Sequence, residues 1–91
     1  METLLQPGDK IRIRSDIKEQ TRYLMKIGNK GDMFVLNSHM IDTVKPGQMV
    51  TIKRIRHGKY VLEEEEFFNY TDEMFEPDVI EFLYEEYLNN K

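Results

Sequence analysis

Residues 49–64 read MVTIKRIRHGKYVLEE. Val50 and Ile52 alternate with Thr51 and Lys53, the two-residue period of a strand that buries one face. The alternation slips at Arg54-Ile55, as it does at a β-bulge or a strand end. His57-Gly58-Lys59 then supplies a short turn, and Tyr60-Val61-Leu62-Glu63-Glu64 returns as a second arm. This hairpin is the anchor for reading the rest.

Upstream, Lys10-Ile11-Arg12-Ile13-Arg14 alternates without exception, with Ile11 and Ile13 set to face the same core. Both strands are entered through proline-glycine turns, Leu5-Gln6-Pro7-Gly8-Asp9 and Lys45-Pro46-Gly47-Gln48. Residues 15–34 show neither period. They are expected to form a long loop with Tyr23, Leu24 and Met25 folded inward and a turn at Gly28-Asn29-Lys30-Gly31-Asp32. Asn37 or Ser38 is placed to cap one helical turn through Asp42. Downstream, Phe67-Phe68-Asn69-Tyr70 fits a fourth short strand, and Thr71 is placed to cap one helical turn through Phe75. From Pro77 the period becomes helical, with Ile80, Leu83, Tyr84, Tyr87 and Leu88 in one stripe over about three turns.

The chain has 91 residues, 40% of them hydrophobic, and ten Phe or Tyr, which suffices for one compact core and not for two. It has no cysteine, hence no disulfide framework, thiolate metal site or thiol nucleophile. No run approaches the length of a membrane span, and Met1-Glu2-Thr3-Leu4-Leu5 lacks a basic leader segment, so a cytoplasmic location is expected. The net charge of −4 conceals a division. Residues 1–60 carry twelve Lys/Arg against six Asp/Glu, a balance of +6, and residues 61–91 carry one against eleven, a balance of −10.

The order of these parts resembles short phage- and prophage-type proteins built on small SH3-like barrels. The resemblance covers about residues 7–77. It rests on Gly8-Asp9-Lys10-Ile11-Arg12, on Gly47-Gln48-Met49-Val50-Thr51-Ile52, and on Tyr70-Thr71-Asp72-Glu73-Met74. Two departures stand out. Glu65-Glu66 occupy a place where such proteins have Asp, Asn or Gly, and Phe68 and Tyr70 stand where tryptophan is frequent. The resemblance implies a mainly β fold: an SH3-like barrel over residues 1–76, a long loop after its first strand, and a C-terminal α-helix over 77–91. The helix would pack on the barrel or on a partner. A mobile-element setting, in the host cytoplasm if phage-encoded, is implied as well, but no reaction, because one fold hosts many functions.

Three features are candidates for chemistry. Glu63-Glu64-Glu65-Glu66 could gather a cation, attract a basic partner, or form a solvated hairpin tip. Alternate glutamates of a strand face opposite sides, and the glycine-containing ligand spacing of a hard-cation loop is missing, so the hairpin tip is preferred and no metal is expected. Tyr23, Phe34, Tyr60, Phe67, Phe68 and Tyr70 are too many for a small barrel to bury on one side, and of these Tyr23, Tyr60, Phe68 and Tyr70 are expected to line a groove between the long loop and the last strands, where SH3-like folds take extended peptides. Together with the four glutamates they form the expected protein-binding surface. Lys10, Arg12, Arg14, Lys53, Arg54 and Arg56 form a basic strand face and the competing nucleic-acid surface. Met25, Met33, Met40, Met49 and Met74 are expected to fill core gaps.

His39 and His57 have seventeen residues between them in sequence, with no ligand or base spacing, and no nucleophile motif or phosphate loop is present. The expectation is therefore a protein without catalytic activity or cofactor. It would bind another protein, as adaptor or inhibitor, with nucleic acid as the alternative partner. A homodimer through Ile80, Leu83, Tyr84, Tyr87 and Leu88 is the alternative use of the helical stripe.

Overall fold

The computed structural model describes residues 2–28, the backbone of 33–35, and residues 43–90. In chain order the elements are β1 (Lys10–Arg12), β2 (Arg22–Leu24), β3 (Met33–Val35), β4 (Met49–Arg56), β5 (Lys59–Leu62), a 3-10 turn (Asp72–Met74) and α1 (Pro77–Asn89). Strands β1, β4 and β5 form one antiparallel sheet with β4 in the centre, and β2 pairs with β3 as a separate hairpin. The fold is thus mainly β with one C-terminal helix. No helix among the described residues is long and apolar enough to cross a membrane.

The register follows from the alternation. Ile11 lies opposite Val50, with Lys10 opposite Thr51 and Arg12 opposite Met49. Directly opposed residues share a face, so one register buries Ile11, Val50 and Ile52 together and turns Lys10, Arg12, Met49 and Lys53 outward. Backbone bonds from Gly8 to Ile52 and from Ile13 to Gln48 extend this ladder beyond both ends of β1. The slip in β4 is a bulge between Ile52 and Arg54. It brings Ile55 opposite the core residue Tyr60 and leaves Arg54 outside. His57 and Gly58 both adopt positive φ, 54° and 77°. That is the backbone of a two-residue turn matched to strand twist, and only the glycine takes it without strain.

After β5 the structure departs from the expected fourth strand. Only Tyr70 pairs, through two backbone bonds with Tyr60 of 2.8 and 2.9 Å. Phe75 bridges to Ile13, and Glu76 donates its N–H to the Arg12 carbonyl. Residues 70–76 therefore run from the β5 edge to the β1 edge by single bridges, and the strands are not closed into a continuous barrel. Thr71 makes no side-chain capping bond; its hydroxyl is buried.

The expected long loop after β1 contains the β2–β3 hairpin. Tyr23 and Met25 are buried as expected, but Leu24 is exposed, because a strand must send neighbours to opposite sides. The free edge of β2 is covered by carboxylates: Leu24 N–H donates to Glu73 and Lys26 N–H to Asp72. Asn37, Ser38, His39, Met40 and Asp42 lie outside the described residues. Met25 and Met74 fill the core, whereas Met49 is exposed.

In α1, Pro77 starts the helix, Ile80 is fully buried, and Leu83 packs against the core. Leu88 stays exposed, so the stripe docks on its own domain through its first part. Tyr60, Tyr70 and Phe75 meet in the core, the Tyr60 and Phe75 rings edge to face with centroids 5.7 Å apart. A carboxylate, that of Asp72, enters this core. The Asp72 carboxylate accepts the Tyr60 hydroxyl and the Lys26 N–H, and the Tyr60 oxygen accepts the Leu5 N–H at 3.2 Å.

Replacing Asp72 by alanine strips the buried Tyr60 hydroxyl and the part-buried Lys26 N–H of their acceptor, so urea denaturation should show a loss of about 2–4 kcal/mol. Burial, partly opposed by the Tyr60 and Lys26 hydrogen bonds, raises the Asp72 pKa above its ordinary 3.8. The folded state then holds this proton more tightly than the unfolded chain. That contribution is complete below the unfolded pKa and lost as pH rises through the folded one. Asp72→Asn cannot titrate there. Wild type is therefore expected to lose stability relative to Asp72→Asn as pH rises above the ordinary carboxyl value of 3.8, as measured by urea unfolding at each pH.

Candidate protein-recognition site at the acidic turn

The four glutamates do not behave as one group. The sharp exit from β5 gives each carboxylate a different neighbour. Glu63 N–H continues the ladder to the Thr51 carbonyl, leaving its side chain in water. Glu64 accepts the Thr51 N–H at 3.0 Å. Glu66 pairs with Lys53 at 2.8 Å, and that ammonium, with Arg54 and Arg56 behind it, holds the Glu66 carboxyl below its usual range. Glu65 is buried, at 6% exposure, and its two oxygens accept the N–H groups of Phe67 and Phe68 at 2.8 and 3.0 Å.

Glu65 is thus the internal staple of a turn, which corrects the expectation of four solvated glutamates. Three of the four carboxylates are already committed to N–H or ammonium donors. Among the described residues no group of three or more His, Asp or Glu side chains is arranged to hold a metal ion.

Arg56 fastens the turn from the other side. Its Nε donates to Asn69 Oδ1 at 2.9 Å, and one terminal nitrogen lies 3.3 and 3.4 Å from the Glu66 and Phe67 carbonyls. The backbone of residues 65–69 is held by a buried carboxylate and a guanidinium, yet the Phe67 ring is 89% exposed. An open cleft beside it is lined by Thr43, Arg54, Arg56, the four glutamates and Phe67.

The expected aromatic surface is largely internal. Tyr23, Tyr60 and Tyr70 are buried, and only Phe68 of the four is part-exposed. Tyr60 and Tyr70 went inward because their backbones pair with each other across the core, where burial pushes both hydroxyl pKa values up. The residue that did become an exposed aromatic is Phe67. Its signal in the sequence is the Phe67-Phe68 doublet, since two adjacent side chains in a half-buried segment cannot both face in. Which one faces out depends on the Glu65 bonds, and those are tertiary.

The basic residues are spread over three environments. Lys10, Arg12 and Lys53 share the outer face of β1 and β4, where Arg12 donates to the Gly47 carbonyl and Lys53 holds Glu66. Arg14 pairs with Asp16 at 2.7 Å, donates to the Glu73 carbonyl, and lies over the Tyr23 ring. Arg54 and Arg56 line the acidic cleft. Four of the six cations are therefore engaged with their own chain. A smaller pocket between the 3-10 turn and α1, lined by Arg14, Lys26, Glu73 and Glu81 among others, is likewise internally neutralised, with Lys26 3.8 Å from Glu81. His57 is exposed at its turn.

No protein-family model, curated protein or solved structure matches the chain.

Replacing Glu65 by alanine leaves two N–H groups without their charged acceptor and should lower stability by about 1.5–3 kcal/mol. Glu63→Ala, whose side chain is in water, is expected within about 0.5 kcal/mol of wild type. Parallel urea titrations of the two variants measure the contrast.

Proposed function

We propose that this chain is a non-catalytic protein-recognition module of SH3-like architecture and phage or prophage type, an adaptor or inhibitor that grips its partner with Phe67. The run of residues 70–76 from β5 to β1 supports the architecture, since it follows the path a closing strand would take. The observation that carries the function is the combination at Phe67: a ring almost wholly in water on a backbone fastened by Glu65 and Arg56. Exposing a phenylalanine gains nothing for the free protein. A pre-ordered aromatic, by contrast, loses little conformational freedom on entering a pocket and is the type of side chain that dominates binding energy.

The surroundings define the partner's chemistry. Glu63 and Glu64 line the cleft beside the exposed ring, together with Arg54 and Arg56. The matching surface is an apolar pocket whose rim sets Lys or Arg against Glu63 and Glu64 and a carboxylate against Arg54, with the charges contributing mainly to encounter rate and register. The alternative is nucleic-acid binding by the outer face of β1 and β4, led by Lys10, and it makes opposite predictions.

Affinity capture from nuclease-treated bacterial lysate, with wild type and Phe67→Ser compared, tests this. A partner retained after nuclease and bound at least about tenfold more weakly by Phe67→Ser is expected. Capture that disappears with nuclease, or that Phe67→Ser leaves unchanged, overturns the reading.

A further inference from the structure

The outer face of α1 carries a second exposed aromatic, independent of the acidic turn. Ile80, Leu83 and Tyr84 turn toward the domain, and Phe82 is left 61% exposed on the other side. Its neighbours along the helix are Asp78 four residues before it and Glu85 and Glu86 three and four residues after it, all exposed. None of these three carboxylates makes an ion pair among the described residues.

The helix as a whole, Pro77–Asn89, contains no Lys or Arg, and its last turn has no basic residue. Asp78 sits well at the N-terminal end, where the backbone dipole is positive. Glu85 and Glu86 lie toward the C-terminal end, where the dipole is negative and carboxylates are disfavoured. Nothing on the helix offsets them.

We infer that this face is a docking surface for a cationic amphipathic helix of a partner protein, whose apolar stripe covers Phe82 and whose Lys or Arg residues answer Asp78, Glu85 and Glu86. Charge selects this occupant over a second copy of the chain. Pairing two such faces would bring six carboxylates around two phenylalanines with no cation between them, whereas a basic helix neutralises the carboxylates and relieves the unfavourable charge at the helix end. The surface shares no residue with the Phe67 turn or its cleft, so the module would offer two protein segments a separate set of contacts each.

The test is a residue-resolved NMR titration of the labelled full chain with a synthetic Leu/Lys amphipathic helical peptide and with its Leu/Glu counterpart. Saturable shifts are expected at residues 78–89 with the Lys peptide and none there with the Glu peptide. The Kd should weaken at least tenfold in Phe82→Ser, weaken with added salt, and weaken in the double variant Glu85→Gln, Glu86→Gln. Phe67→Ser should leave these helix shifts in place, which separates this proposal from the one above. The inference is overturned if the Lys peptide leaves residues 78–89 unshifted, or if Phe82→Ser binds it within twofold of wild type. It is equally overturned if sedimentation shows a dimer of the free chain that Phe82→Ser dissolves.

Discussion

The hydroxyl of Tyr60 donates to the carboxylate of Asp72 inside the core, and much of the fold is organised around that bond. Tyr60 belongs to β5, and its oxygen also accepts from Leu5 in the N-terminal segment. Asp72 opens the 3-10 turn, and its second oxygen accepts from Lys26 at the end of β2. Four segments distant in sequence thus share one buried polar knot. A carboxylate taken out of water is expensive unless its oxygens are satisfied, so the arrangement is stable only when all four segments are in place. That requirement couples the β2–β3 hairpin to the β1–β4–β5 sheet, although the two share no ladder.

The same economy of charge runs through the acidic half of the chain. Asp72 and Glu73 cap the open edge of β2, Glu64 and Glu65 satisfy backbone donors around the exit from β5, and Glu66 holds Lys53. Much of the charge that reads as a lure for a partner is spent on holding irregular backbone. Irregular segments leave N–H groups without ladder partners, and a carboxylate accepts them more strongly than a neutral group does. Subtracting these committed groups leaves Glu63 beside Phe67, and Asp78, Glu85 and Glu86 beside Phe82. Among the described residues the two most exposed large apolar side chains therefore stand next to carboxylates that do not hold the turns of the fold. Arg54 and Arg56 share the cleft with Phe67, whereas the charged neighbours of Phe82 along α1 are all carboxylates, and the proposed binding rests on these two spots.

What could be read from the sequence alone was whatever depends on short-range period and on backbone chemistry. Ile11, Ile13, Val50 and Ile52 had to share a face because a pleated strand alternates. The bulge showed as a slip in that alternation, and the His57-Gly58 reversal as a glycine between two strands. The C-terminal helix followed from Pro77 and a stripe three and four residues apart. Tertiary structure decided the matters that depend on a distant partner. Residues 22–24 form a strand because a hairpin mate and the Glu73 carboxylate, nearly fifty residues away, satisfy them, with Asp72 holding Lys26 just beyond. Tyr60 and Tyr70 are core and Phe67 is surface because one backbone bridge and one buried glutamate orient them. Period is a property of neighbours along the chain, whereas burial of a polar or aromatic group depends on what the folded chain brings to it.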